Sequence, residues 1–351
     1  PFKQQFNINN RTASIYSLSG VIYPNVITLK EHFRCRPEII SFSNQFVYDK
    51  HIIPLRTATH GWYGQPAEVH YVEDGGRDKK KAKLAEGVLT LIEGVIEDYE
   101  QGHIPQLPSI GILCLESSNE AHRELVQRMI LKSARIKTYQ DQLRLLVGTS
   151  REFQGDERDV MILTTTANHT LTKAGSMRAP RAVMGEEMMR IYNVAVSRAR
   201  EKVILLHSIH PEAIAMMNEN CYRARLIRHL SSLSQVQQPI LRKVIKTSPL
   251  HDEVQAWLAE AFPTAAIKSH HQLGPYKMDF ALMGDHGKWA LWLDEGQTQD
   301  ADVLTEKIQL QLTLERAGWK GWRISSLEWA TQKEVLKEHL REEIKKMTVT
   351  E

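Results

Sequence analysis

Four short apolar runs limit most sharply what this chain can fold into. They cover residues 110–115, 143–148, 159–164 and 203–207. Each has strand length and offers apolar side chains to both faces, so each needs cover on both sides. Between them lie stretches with apolar residues at helical spacing. Residues 82–100 carry Leu84, Val88, Leu91, Ile92 and Val95 on one face. Residues 119–132, with Ser117 placed to cap them, and 187–201 read the same way. Residues 37–49 open on Pro37 and also read as a helix. Strand and helix in alternation imply an α/β domain: a parallel sheet with helices on both faces. Residues 60–81 read as an excursion from the core, with a short strand at 67–72 and the run Lys79–Lys81.

The chain has 351 residues, room for about two domains. Residues 211–247 read as a helical linker. A second pattern follows from 248: helix 251–262, strands 265–272, 276–284 and 288–294, helix 302–317, strand 320–325, helix 328–346. Short turns between neighbouring strands imply a mixed sheet with helical cover, hence a second, smaller α/β domain over 248–351. Six of the seven Trp lie after 256. Trp289 and Trp292, and likewise Trp319 and Trp322, are spaced to face opposite sides of a strand, which fits core plus surface. Charged residues are 25% and hydrophobic residues 42%, so wholesale disorder is excluded. No apolar stretch reaches transmembrane length, and no signal peptide is visible. Three cysteines lie far apart and form no metal cluster or disulfide framework, which makes a cytoplasmic setting the default. A net charge of +3 permits an anionic partner without demanding one. The chain begins at Pro1 without Met, as a piece of a longer protein would.

Three motifs carry chemistry in residues 1–210. His32-Phe-Arg34-Cys-Arg36-Pro precedes a helix, and forked guanidinium donors there suit a phosphate. Ser150-Arg151-Glu-Phe-Gln154-Gly155-Asp-Glu157 joins two strands, with polar side chains at the carboxyl end of a strand, where open parallel sheets bind ligands. Gly155 lets the backbone turn with positive φ or approach a ligand. Arg190-Ile-Tyr192-Asn193-Val-Ala-Val-Ser197-Arg198-Ala-Arg200 sits on a helix. Arg190, Asn193 and Ser197 share a face, and Arg198 is placed to reach a neighbouring site as an arginine finger. Residues 168–188 have the length of a functional loop, suited to nucleic acid or to nothing ordered.

Taken together and in this order, the three resemble motifs IV, V and VI of superfamily-1 helicases, over about residues 20–210. The resemblance implies a second RecA-like domain. It implies that Arg34 and Arg198 contact the γ-phosphate of ATP. Gln154, Gly155 and Glu157 would couple the nucleotide cleft to the nucleic-acid track, and Ser150 and Arg151 would lie near the bound strand. The sequence holds no Gly-x-x-x-x-Gly-Lys-Ser/Thr loop and no strand ending in Asp-Glu before an apolar stretch. Those belong to the first RecA-like domain, which binds most of the ATP and its Mg²⁺. The chain alone is therefore not expected to hydrolyse ATP. An upstream RecA-like domain, in the same protein or a partner subunit, would supply the other half.

Residues 248–346 resemble the restriction-endonuclease-like fold, of the very-short-patch-repair endonuclease type. The best points are Tyr276-Lys-Met-Asp279 and Leu314-Glu-Arg-Ala-Gly-Trp319. The resemblance makes Asp279 a ligand for Mg²⁺ or Mn²⁺. The family's next strand reads apolar-Glu-x-Asp-Gly, with a His beyond. Here Trp292 stands at the Glu, Asp294 at the Asp, Glu295 at the Gly, Gln299 near the His and Leu310 near a later Arg. An indole neither binds a hard cation nor moves a proton. Three readings stay open. Glu295 and Gln297, slipped in register, complete a variant site with Asp279. Or the site has decayed and the fold packs or holds DNA. Or Asp279 converges with Asp294 or Glu295 on one metal in an active endonuclease. Glu253 is a further carboxylate nearby. The sequence thus implies the carboxyl-terminal part of an ATP-dependent helicase on single-stranded or duplex nucleic acid, DNA before RNA, fused to a nuclease-like domain in bacterial DNA defence or repair. The alternative is a non-catalytic binding module. No membrane partner is expected.

Overall fold

The computed structural model describes residues 19, 23, 29–57, 63–73, 77–115, 120–235, 248–273, 276–284, 287–295 and 301–345. The chain divides into two compact units, 1–31 and 32–351. In the first, the Tyr23 N–H donates to the Ser19 carbonyl at 2.8 Å.

In the second unit a five-stranded sheet holds β3 (Ala67–Tyr71), β9 (Ala199–His207), β6 (Arg158–Thr165), β4 (Ile110–Cys114) and β5 (Leu146–Gly148), in that order. Every pairing in it is parallel. β4 and most of β6 are buried on both faces. On one face lie α1 (Pro37–Phe46), α5 (Glu186–Ser197) and α7 (Tyr222–Gln235), packed around Phe42, Met161, Tyr192 and Leu205. On the other lie α2 (Arg77–Glu100), α3 (Glu120–Lys132) and α4 (Ala134–Tyr139), around Ile92, Ile112, Val126 and Ile162. This is the doubly covered α/β domain that the apolar runs require.

Several boundaries differ from the sequence expectation. β5 starts at Leu146 rather than 143, because Leu143 lies within the turn below, which runs through Arg144, and its carbonyl accepts the Ile110 N–H. β9 begins at Ala199, so Arg198 is not a mid-helix residue: it caps α5 and leads into the strand. The expected linker is in part a packed helix, since α7 buries Ala224, Leu226, Ile227 and Leu230 in the first core. Residues 236–247 and Ser117 lie outside the described residues, as do the side chains of Lys79–Lys81. The 168–188 loop contains a hairpin of β7 (Thr170–Leu171) and β8 (Met177–Arg178), and α6 (Pro211–Ala215) packs against β8.

A four-stranded mixed sheet follows α8 (Pro249–Ala261). Its order is β10 (Ala266–Leu273), β11 (Tyr276–Gly284), β12 (Gly287–Asp294), β13 (Lys320–Ser325). β10, β11 and β12 run antiparallel in turn, and β12 pairs with β13 in parallel through α9 (Ala301–Arg316). α10 (Ser326–Lys345) closes the domain. One face packs Phe280, Leu282, Trp289, Leu291 and Ile324 against α8 and α10. The other packs Met278, Ala281, Ala290, Trp292 and Trp319 against Leu314 of α9 and against Leu55. Covered on both faces, the sheet buries Trp289 and Trp292 alike, at 2% and 6% exposure. The core-plus-surface expectation for this pair is corrected by that second layer.

Leu55 follows a two-stranded ribbon of β1 (Glu31–His32) and β2 (Ile53–Pro54). The Leu55 N–H donates to the His32 carbonyl at 2.8 Å. Phe33 and Ile53 join Leu55 against the second sheet.

Candidate nucleotide-binding site

The first motif leaves the ribbon and enters α1. Pro37 at its first turn pre-sets the helix, and Ile39, Ile40 and Phe42 bury its inner face. Arg36 meets β9, its N–H donating to the Arg200 carbonyl at 3.1 Å. The Cys35 thiol points to the Ser197 carbonyl at 3.3 Å, and burial pushes that thiol up to about 12. These two contacts bring Arg34 beside the end of α5, where Arg198 stands.

The second motif arrives differently from its expectation. After β5 the chain turns at Thr149, where the Glu152 carboxylate accepts the backbone N–H at 2.7 Å. It then runs back across the sheet. Phe153, fully buried, lies over Gly111 and Met161. A Cβ on Gly111 would come within 2.5 Å of the Met161 sulfur and 2.8 Å of the Phe153 ring, so only glycine fits there. Gly155 turns the chain at φ +89, with open space around it, and β6 begins at Arg158. Glu157 therefore sits at the amino end of β6, not at a carboxyl end. Ser150 and Arg151 stay behind at the carboxyl end of β5, Arg151 exposed. Gln154 is exposed in the turn.

At this amino edge the chain assembles a dense charge cluster. Arg34 Nε lies 2.5 Å from Glu157 Oε2, and Arg200 Nη1 lies 3.6 Å from Glu157 Oε1. Arg200 also approaches Asp159 at 3.8 Å. Arg56 is bonded to the buried Glu201. Arg198 donates only a long bond, 3.4 Å, to the Asp156 carbonyl, and its Nε is buried with no partner among the described residues. Burial and the charge of Arg34 both lower its hold on the proton. A guanidinium in this state calls for an anion. His32 stays neutral here. Its Nε2 accepts the Cys35 N–H at 3.0 Å, and burial with Arg34 and Arg56 alongside brings its imidazole down to about 4.

The structure thus brings Arg34, Glu157 and Arg198 together, and leaves Gln154, Ser150 and Arg151 outside the cluster. Arg56, which the sequence did not single out, and His32 and Arg200, which stand in the first and third motifs without an assigned role, complete it. Arg200 closes the third motif two residues past Arg198, a spacing that a strand start turns to one side. Arg190 pairs instead with Glu186 on α5 at 2.5 Å, and Asn193 donates to the Tyr48 hydroxyl at 2.9 Å.

A family model described as an AAA domain matches residues 16–210. The chain belongs to this family. The AAA domain here is of superfamily-1 helicase type, which brings nucleotide binding and ATP hydrolysis at that general level. The arginine cluster lies inside the matched span, and the second sheet lies outside it. No curated protein matches the chain.

On the second sheet, Asp279 accepts the Leu293 N–H at 2.7 Å. Asp294 lies 2.6 Å from Lys307 and 3.6 Å from Arg323. The Arg323 guanidinium also stacks over the Trp292 ring, 4.8 Å from its centroid, and that indole donates to the Lys277 carbonyl at 2.9 Å. Glu295 is bonded to the Ser248 hydroxyl, the N-cap of α8. Glu253 pairs with Lys333 and accepts the Trp329 indole N–H. Gln297 and Gln299 lie outside the described residues. Among the described residues no three His, Cys, Asp or Glu side chains are grouped to hold a metal. As donors, Asp279, Asp294 and Glu295 do not fit a divalent cation: Asp294 already faces two cations, and Glu295 points to a different helix. No described helix is long and apolar enough to cross a membrane.

Proposed function

We propose that this chain supplies the arginine half of an ATP cleft in a superfamily-1 helicase. The observation that carries this is Arg198, whose buried Nε has no partner among the described residues, beside an Arg34 that shares Glu157 with Arg200. Arg34, Arg56, Arg198 and Arg200 face the carboxylates of Glu157, Asp159 and Glu201, and the excess positive charge, centred on Arg198, suits a terminal phosphate. A first RecA-like domain, in the same protein or a partner subunit, would bring the phosphate loop and Mg²⁺. Arg34 and Arg198 would stabilise the charge that develops on the transferred phosphoryl group. Glu157 would hold Arg34 in place. The segment 149–157 runs from this edge to Ser150 and Arg151, which suits it to relay closure of the cleft to a bound strand, DNA in preference to RNA.

For the second domain we favour the non-cleaving reading. The pairing of Asp294 with Lys307 and Arg323 supports it. The domain then serves to pack against the motor and hold nucleic acid, in bacterial DNA defence or repair.

The test is ATP hydrolysis with the first RecA-like half present. Arg198→Ala is expected to lower kcat by about a thousandfold, the usual scale for an arginine finger, with nucleic-acid affinity retained. An unchanged kcat would sink the assignment.

A further inference from the structure

The residues that leave the β1–β2 ribbon reach both sheets. Phe33 packs on the second sheet, Arg34 meets Glu157, and Cys35 enters the first core. On the other strand, Ile53 and Leu55 pack on the second sheet, and Arg56 meets Glu201. The short segments 33–35 and 53–56 thus each touch both sheets. Leu55 is fully buried in a cluster with Trp292, Trp319 and Leu314. Trp292 is pinned in turn by its bond to Lys277 and by the Arg323 stack. Two polar contacts reinforce the junction. Lys288 of β12 donates to the Thr57 carbonyl at 3.4 Å, and Arg316 of α9 lies over the Phe33 ring at 5.9 Å.

We infer that Leu55 and Trp292 are positioning residues for Arg34. The second sheet grips the ribbon, and the ribbon sets where Arg34 stands beside Arg198. Trp292 then has work of its own at the position where the nuclease-like pattern places a Glu: it is part of the buried cluster that receives Leu55. The second domain acts on phosphate chemistry through packing, with no residue of its own in the cleft. The inference rests on the reading of Arg34 as a phosphate contact, and its test separates the two.

Hydrogen exchange on the whole chain gives the first arm. Leu55→Ala and Trp292→Ala are each expected to speed exchange at residues 32–36 by about tenfold, a local opening, while the amides of β4 and β6 keep their protection. Leu55→Met is expected to restore slow exchange by refilling the same space. Wild-type exchange at 32–36 in both alanine variants overturns the inference. The second arm is hydrolysis with the first RecA-like half present. Leu55→Ala is expected to lower kcat about tenfold, the scale of a slightly misplaced catalytic group, with KM for ATP unchanged and Leu55→Met restoring the rate. Arg34→Ala is the control. If it lowers kcat and Leu55→Ala does not, the positioning role is overturned. If Arg34→Ala itself leaves kcat unchanged, the phosphate reading fails, and exchange at 32–36 still decides whether the second sheet holds Arg34.

Discussion

A single histidine reports on the state of the arginine cluster. His32 accepts the Cys35 N–H through Nε2, so the folded chain needs it neutral. Burial, with Arg34 and Arg56 nearby, lowers its pKa from 6.5 to about 4. The unfolded chain takes up that proton near 6.5 and the folded chain near 4, so unfolding binds a proton in between. Stability contributed by neutral His32 is complete above pH 6.5 and falls as pH drops toward 4, by about 1.4 kcal/mol per pH unit for one proton. His207 behaves alike: burial brings it to about 4, and its Nδ1 accepts the Ile209 N–H at 3.2 Å. Urea unfolding is therefore expected to lose stability as pH falls from 6.5 to 4.5, with His32 and His207 contributing up to about one proton each to the slope and His229, His251 and His271, also lowered by burial, adding to it. His32→Gln, whose amide oxygen reaches the place of Nε2 and still accepts the Cys35 N–H, is expected to bring that slope down by about one proton. An identical slope in the variant would mean that His32 titrates normally. Much of this was illegible in the sequence. Arg34, Glu157 and Arg198 stand out by motif, whereas His32 and Arg56 join the cluster only because a short ribbon folds them onto it.

Elements explain which of those expectations held. Long periodic segments were readable: β11, β12, β13 and α9 fall within a residue or two of their expected bounds, since each has a full face to bury. The ribbon was not readable, because two-residue strands carry no period. The path of 149–157 was hidden for a different reason. A polar turn between two apolar strands gives no sign that one Phe inside it will bury fully and pull the chain back across the sheet. Phe153 is that anchor, seated where Gly111 leaves room for its ring. It carries Glu157 from the carboxyl end of β5 to the amino end of β6, a strand length away. Phe153→Ala is expected to cost about 3 to 5 kcal/mol in chemical unfolding, as for other large-to-small changes of a buried aromatic. It should also free the 149–157 segment, read as faster exchange there than in β9. A loss below about 1 kcal/mol, the level of a surface change, would show that the segment is held by Thr149 and Glu152 instead.

The molecule as a whole joins two sheets of opposite character. The parallel sheet presents arginines at one edge with an incomplete set of carboxylates. The mixed sheet pairs its acids internally, Asp294 with Lys307 and Arg323, Glu253 with Lys333. The under-compensated arginine cluster thus lies in the AAA domain, while Asp294 and Glu253 beyond it are ion-paired. Nucleic acid should accordingly be held without being cut. With Mg²⁺ or Mn²⁺ and no ATP, single-stranded and duplex DNA are expected to remain intact, and Asp279→Ala is expected to bind them as the parent chain does. Binding should weaken steeply with salt, because phosphate contacts release counterions. Arg151, exposed at the end of β5, is placed for one such contact, and Arg151→Ala should reduce the salt slope by about 1. Cleavage that disappears in Asp279→Ala would reverse this view of the second domain. It would mean that a cation displaces Lys307 from Asp294 and recruits Asp279, so that the ion pairs seen here are the resting form of a metal site. An unaltered salt slope in Arg151→Ala would instead move the strand away from the carboxyl end of β5, and with it the proposed relay through 149–157.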